Sequence, residues 1–174
     1  MAVNLSTIQF RQRNFVAEVE GVLAETGLDP RYLAFELTEG MLMEDPLELA
    51  RTLEKLKAIG VKLAIDDFGT GHSSLMHLKR FPIDKLKIDR TFVKDCPGDP
   101  DDVAITGAII DLARNMGITS IAEGVDDKAQ FDFLKSRGCD ELQGYLFARA
   151  MPPEEIAVWL ARPHAGTLTK LQTA

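Results

Sequence analysis

The sequence predicts an α/β protein with a mostly parallel sheet laid down in consecutive βα units. Three observations predict it. Amphipathic helical stretches end on Gly, and each is followed by a short β-rich run. The helix starts carry Asp-Pro or Pro-Pro-Glu-Glu signals. The β-rich runs carry a polar or charged residue in their last few positions, where α/β folds build their sites.

Taken in order, a strand is expected at 2–5 (AVNL) and a second at 33–38 (LAFELT). Asp45-Pro46-Leu47-Glu48 opens a helix with a capping Asp and Pro at its first position. Leu49, Leu53 and Leu56 form its apolar stripe, and Gly60 stops it. A strand follows at 62–67 and another at 85–89. Asp99-Pro100 opens the next helix, whose stripe is Ile105, Ile109, Leu112 and Met116 and whose stop is Gly117. A strand at 119–123 leads to a helix through Phe131 and Leu134, stopped by Gly138. The last strand is expected at 142–147, and Pro152-Pro153-Glu154-Glu155 opens a final helix through Trp159. Residues 1–163 read as one domain and 164–174 as a tail.

Six strands in this order fit a doubly wound open sheet or part of a (β/α)8 barrel. A full barrel takes about 250 residues, near 30 per unit. The 174 residues hold about six units, so length favours the open sheet. The chemistry at the strand ends favours the barrel.

Bulk properties exclude several classes. A net charge of −7 argues against a large basic surface for duplex nucleic acid. No apolar run approaches the roughly 20 residues of a membrane span, and no basic-then-apolar leader is visible. Cys96 and Cys139 lack CxxC spacing, which fits reduced thiols and a cytoplasmic setting.

The strand tips gather Asn4, Glu36, Glu39, Asp66, Asp67, Lys87, Asp89, Glu123 and Gln143. Glu39 and Asp89 fit a helix cap or a solvated turn. Glu36 and Lys87 do not. Each alternates with apolar neighbours, so each points to the opposite face of its strand, which in a barrel is the interior. A buried Lys needs a counter-charge and a buried Glu a cation. Asp66 and Asp67 are adjacent like charges, tolerable in a solvated turn or around a shared cation. His72, His77 and His164 form no zinc spacing. Oxygen-only ligands point to Mg²⁺ or Mn²⁺, with Ca²⁺ a weaker fit. Two such ions activate water for phosphoryl displacement. The Gly-Thr-Gly at 69–71 lacks the length and Lys of a Walker A loop and reads as a tight loop that sets the two aspartates.

These motifs, VNLS, FELTEG, IDDFGTGHSSL, LKIDRTFV, IAEGVD and GCDELQGYLFARAMPPEE, closely resemble the EAL-domain family of cyclic di-GMP phosphodiesterases over residues 3–160. The resemblance implies a modified (β/α)8 barrel with one antiparallel strand and hydrolysis of cyclic di-GMP to linear pGpG. It implies Asn4, Glu36, Asp66 and Asp67 as metal ligands. Lys87 is implied to orient the attacking water, Glu123 to support the metal site, Gln143 to position water, and Glu39 to anchor the DDFGTG loop. It also implies a homodimer through that loop. An upstream sensor or GGDEF-type domain is implied too, placing the chain in the cytoplasm or on the cytoplasmic part of a membrane receptor.

His72 stands where the family usually has Tyr, and Asp126 where Glu is common. The family's name-giving Glu-Ala-Leu, whose Glu is a ligand, does not occur in the sequence. The expectation is therefore an incomplete barrel, the C-terminal two-thirds of the domain beginning at about the third strand, with Met1 a start residue. Such a chain is expected to pair, aggregate or need the missing segment in trans, with weakened metal binding and activity. The alternatives are a degenerate or truncated module that binds cyclic di-GMP without turnover, and an enolase-like barrel. The adjacent aspartates and the motif order speak against the enolase-like reading.

Overall fold

The computed structural model describes residues 1–43, 46–71 and 75–161; the side chains of residues 43, 46 and 75–77 are outside the description. The predicted cap at Asp45, His72, the side chain of His77, His164 and the whole 164–174 tail therefore lie outside the described residues.

The elements run β1 (Ala2–Leu5), α1 (Thr7–Phe10), α2 (Phe15–Thr26), β2 (Ala34–Thr38), a 3-10 turn (Glu39–Met43), α3 (Pro46–Ile59) and β3 (Lys62–Phe68). They continue with α4 (Leu75–Arg80), β4 (Lys85–Ile88), α5 (Arg90–Val93), α6 (Pro100–Met116), β5 (Thr119–Ala122), α7 (Lys128–Arg137), β6 (Glu141–Leu142) and α8 (Pro153–Leu160). Among the described residues no helix is long and apolar enough to cross a membrane.

Among the described residues the six strands form one sheet in the order β1-β2-β3-β4-β5-β6, and every pairing is parallel. That order decides between the two architectures. A doubly wound sheet reverses its strand order at a switch point, whereas barrel staves follow one another. No reversal occurs here, so the chain forms six consecutive staves of the barrel type. The antiparallel strand of the family is not among these six.

Alternation sorts the two faces. Phe35 and Leu37 on β2 stand beside Leu63 and Ile65 on β3, and all four are buried in the core between sheet and helices. Leu53 and Leu56 of α3 and Ile110 of α6 close that core from outside. The opposite, inner face carries Ala2, Ala34, Glu36, Ala64, Lys85 and Ile121, which line a cavity of about 640 Å³. Barrel interiors are ordinarily filled by bulky branched residues. Here that face carries alanines and an ion pair between Lys85 and Glu141, at 2.7 Å.

The expected helix signals hold at α6 and α7. Asp99 accepts from the backbone N–H of Asp101 and Asp102, and Gly117 and Gly138 end their helices in the left-handed conformation. Two differences stand out. Helix α2 was not among the sequence expectations, although Phe15, Val19 and Leu23 make a buried stripe at i, i+4, i+8. The last strand stops at Leu142 rather than 147. Gly144 lies against the Val125 backbone so closely that an added Cβ would sit 2.2 Å from the Val125 carbonyl oxygen. The Leu146 N–H then donates to that carbonyl, and the Phe147 N–H to Gly144, which turns the chain out of the sheet.

Candidate active site

The C-terminal ends of β2, β3, β4 and β5 converge on one ammonium group. Lys87 Nζ lies 3.0 Å from Glu36 Oε2, 2.7 Å from Asp66 Oδ1 and 2.7 Å from Glu123 Oε1. The residue is only 4% exposed. Its inward direction follows from alternation, since Leu86 and Ile88 on either side are fully buried in the outer core. Burial alone works against the charge on Lys87. Hydrogen bonds to Asp66, Glu123 and Glu36 outweigh it and raise the pKa above that of an ordinary lysine. Burial raises Glu123, Lys87 opposes this, and the charges of Asp66 and Glu36 push the same way as burial; the net shift is upward.

Two adjacent residues on a regular strand point to opposite faces, so Asp66 and Asp67 need a device to share one site. The device is a bulge. Between Ile65 and Phe68 on β3 the register advances three residues while β4 advances two, from Leu86 to Ile88. Asp67 carries φ 53°, the one positive φ at a non-glycine among the described residues. The result brings carboxylate oxygens of Asp66, Asp67 and Glu123 within 4.8 Å of one another. Burial, the charge of Asp66 and a hydrogen bond to Asp89 raise the Asp67 pKa. Asp89 is also penalised by burial, but its bonds from Thr91 win and its pKa falls. Asp89 thus caps α5, as one of its two expected readings held.

Glu39 corrects its cap-or-turn reading. It is 4% exposed, and its Oε2 accepts from the backbone N–H of Gly69 and of Gly71, both at 3.0 Å. This carboxylate therefore staples the Gly-Thr-Gly loop that follows the bulge. Gly69 leaves no room for a side chain, since an added Cβ would lie 2.9 Å from the Phe92 ring.

Asn4 stands opposite Glu36 in the β1–β2 register and is exposed. Gln143 follows β6, also exposed, on the rim of the inner cavity with Glu36. Its backbone N–H donates to Ala122 and its carbonyl accepts from Val125. The structure thus joins Glu36, Asp66, Asp67, Lys87 and Glu123 in one cluster, puts Glu39 behind the loop, and leaves Asn4 and Gln143 at the flanks. The donor set is entirely oxygen, which suits a hard divalent cation. Sequence reasoning missed the bulge and the Asp67–Asp89 contact. Neither has a local signal, because both depend on how β3 registers with β4.

The EAL domain family model matches residues 1–150. The bifunctional diguanylate cyclase/cyclic di-GMP phosphodiesterase MucR of Pseudomonas aeruginosa is 45% identical over 161 residues, 92% of this chain and 24% of that protein. The cyclic di-GMP phosphodiesterase NbdA of the same organism is 41% identical over 152 residues, 87% of this chain and 19% of that protein. Among solved structures, a PaMucR phosphodiesterase in complex with c-di-GMP superposes with a TM-score of 0.85 at 46% identity, covering 89% of this chain and 63% of that one. A manganese/cy-diGMP complex of Klebsiella pneumoniae BlrP1 gives 0.79 at 34% identity, covering 85% and 38%. The chain thus spans at most about a quarter of these two curated relatives. With the family model accounting for all six staves and the site they carry, the chain belongs to the EAL domain family.

Proposed function

We propose that the chain carries the catalytic face of a metal-dependent phosphodiesterase that hydrolyses cyclic di-GMP to linear pGpG. The observation that carries this reading is the ring of Glu36, Asp66 and Glu123 around the buried Lys87 ammonium, with Asp67 turned toward it by the bulge. Asp66, Asp67 and Glu123 would hold Mg²⁺ or Mn²⁺, with Glu36 and Asn4 beside them. When bound, the ions supply an activated water and neutralise phosphate charge.

Lys87 stays protonated among three carboxylates, so it donates hydrogen bonds and takes up no proton. Its role is to orient the water or a phosphate oxygen. The water adds its oxygen to phosphorus, the bond from phosphorus to one 3′ oxygen breaks, and that oxygen leaves as the 3′ hydroxyl. A carboxylate of the ring takes the proton from the attacking water, and that proton passes on to the departing 3′ oxygen, so the carboxylate ends ionised as it began. Glu39 holds the loop that sets Asp66 and Asp67, and Gln143 positions water or substrate at the rim. Pairing through the DDFGTG loop and an upstream sensor or GGDEF-type domain belong to the same proposal. The upstream domain is supported by the much greater length of the relatives and by the cyclase in MucR's name.

The test is to incubate the chain with cyclic di-GMP and Mn²⁺ and to follow the products by chromatography. Accumulation of pGpG, lost by at least about a hundredfold in Lys87→Ala, is the expected result. Binding without turnover would replace the enzyme with a sensing module, and neither binding nor turnover would end the proposal.

A further inference from the structure

Arg90 begins α5, directly after the strand that carries Lys87, and reaches sideways to the end of β5. Its stem lies flat on Gly124, the residue after Glu123. An added Cβ on Gly124 would sit 2.2 Å from Arg90 Cγ and 2.8 Å from Cδ. Gly124 also has φ 67°, which a side chain rarely adopts, so the sequence leaves both the space and the conformation to Arg90. Beyond Gly124 the guanidinium meets Asp126, with Nη2 3.0 Å from Oδ2. The other oxygen of that carboxylate, Oδ1, accepts the backbone N–H of Tyr145 at 3.1 Å. The Asp126 N–H donates to Gln130 Oε1 at 2.7 Å, and Gln130 Nε2 donates to the Lys94 carbonyl at 2.9 Å, returning to the end of α5.

One carboxylate therefore joins three successive strand ends: β4 through Arg90, β5 through its own loop, and β6 through Tyr145. Those ends carry Lys87, Glu123 and Gln143. An isolated surface ion pair contributes little. This pair differs because both oxygens of Asp126 are used and the Arg stem is fitted over a glycine. We infer that Arg90 and Asp126 are positioning residues that hold Glu123 and the Gln143 turn in register with Lys87. They do not touch the reacting atoms. The inference rests on the proposed metal site, because Glu123 is one of its carboxylates.

The test measures Mn²⁺ binding to the full chain by electron paramagnetic resonance, with Mn²⁺ as the only added ligand. Arg90→Met keeps a stem over Gly124 and removes the guanidinium, so the fold is retained. Arg90→Lys restores a charge within reach of Asp126. The expected result is Mn²⁺ affinity weakened on the order of tenfold in Arg90→Met and in Asp126→Ala. Arg90→Lys should recover most of the loss. Amide exchange at Tyr145 should quicken in Asp126→Ala while that of the α3 core amides is unchanged. Equal Mn²⁺ affinity in the original chain and in Arg90→Met would overturn the inference and leave the metal site standing. So would a loss that Arg90→Lys fails to recover. Absence of Mn²⁺ binding by the unsubstituted chain would overturn the metal site itself, and the inference with it.

Discussion

Removing the Lys87 ammonium leaves Glu36, Asp66 and Glu123 facing one another at close quarters without their shared cation. Breaking a buried ion pair by deleting one partner costs about 3–5 kcal/mol. Lys87→Met should therefore lower the unfolding free energy of the metal-free chain by about 3 kcal/mol, read by urea titration. Added Mn²⁺ should raise the Lys87→Met midpoint more than it raises the original chain's, because the ion then faces no competing ammonium. The raised pKa of Lys87 also fixes a pH direction. A raised cation contributes fully below its unfolded value near 10.5 and loses that contribution only as pH rises through the still higher folded value. The cluster should stay assembled from neutral pH to about 10, checked by nitrogen-15 NMR of the Lys87 side chain. Glu36 and Lys87 were legible in the sequence because alternation against apolar neighbours leaves only the inner face for a charge. The loop contact of Glu39 was legible only through the family resemblance, and its burial has no local signal, because its partners are backbone N–H groups about thirty residues away in the chain.

Between elements, Asp84 ties α3 to β3 from the N-terminal side of β4. Its carboxylate meets Lys57 at 2.7 Å and Lys62 at 3.2 Å, and it accepts the Leu63 N–H at 2.9 Å. Burial opposes its charge, but these partners prevail and hold its pKa below the ordinary 3.8. A depressed carboxyl contributes stability above its unfolded pKa and loses it as pH falls through the folded value. Asp84→Asn should cost about 1–2 kcal/mol at pH 7 and flatten the decline in stability between about pH 5 and 2, measured by urea midpoints across that range. At the other end of the sheet, Gly144→Ala forces a Cβ into the Val125 backbone. A loss of about 3 kcal/mol or more is expected, read as a lowered thermal midpoint. These two contacts show where sequence reading succeeds and stops. Strands β2 to β5 fall within a residue of expectation, because alternation and a terminal Gly or acid are local signals. The early end of β6 is tertiary, set by one glycine against a neighbouring loop. Helix α2 was legible by its spacing, by Asn14 at its start and by closing Gly27, although Asn14 makes no side-chain cap bond.

As a whole, the sheet among the described residues ends on β1 and β6, with no pairing between them. Val3 on β1 and Leu146 shortly after β6 are exposed. Open edges beside apolar surface favour association with another chain. The chain should sediment as a concentration-dependent oligomer at micromolar concentration, and a sharp monomer across that range would contradict this. Barrel character was legible through the strand-end chemistry and the family resemblance, while length pointed to an open sheet, and the unbroken strand order decided the matter. The central claim is that carboxylate oxygens from β3 and the end of β5 gather around divalent metal. Anomalous diffraction at the manganese edge, from crystals of the chain soaked in Mn²⁺, tests it most directly. The account predicts a peak bounded by the carboxylates of Asp66, Asp67 and Glu123. A crystal in which Mn²⁺ binds only elsewhere, while Lys87 keeps all three of its carboxylate partners, would contradict it.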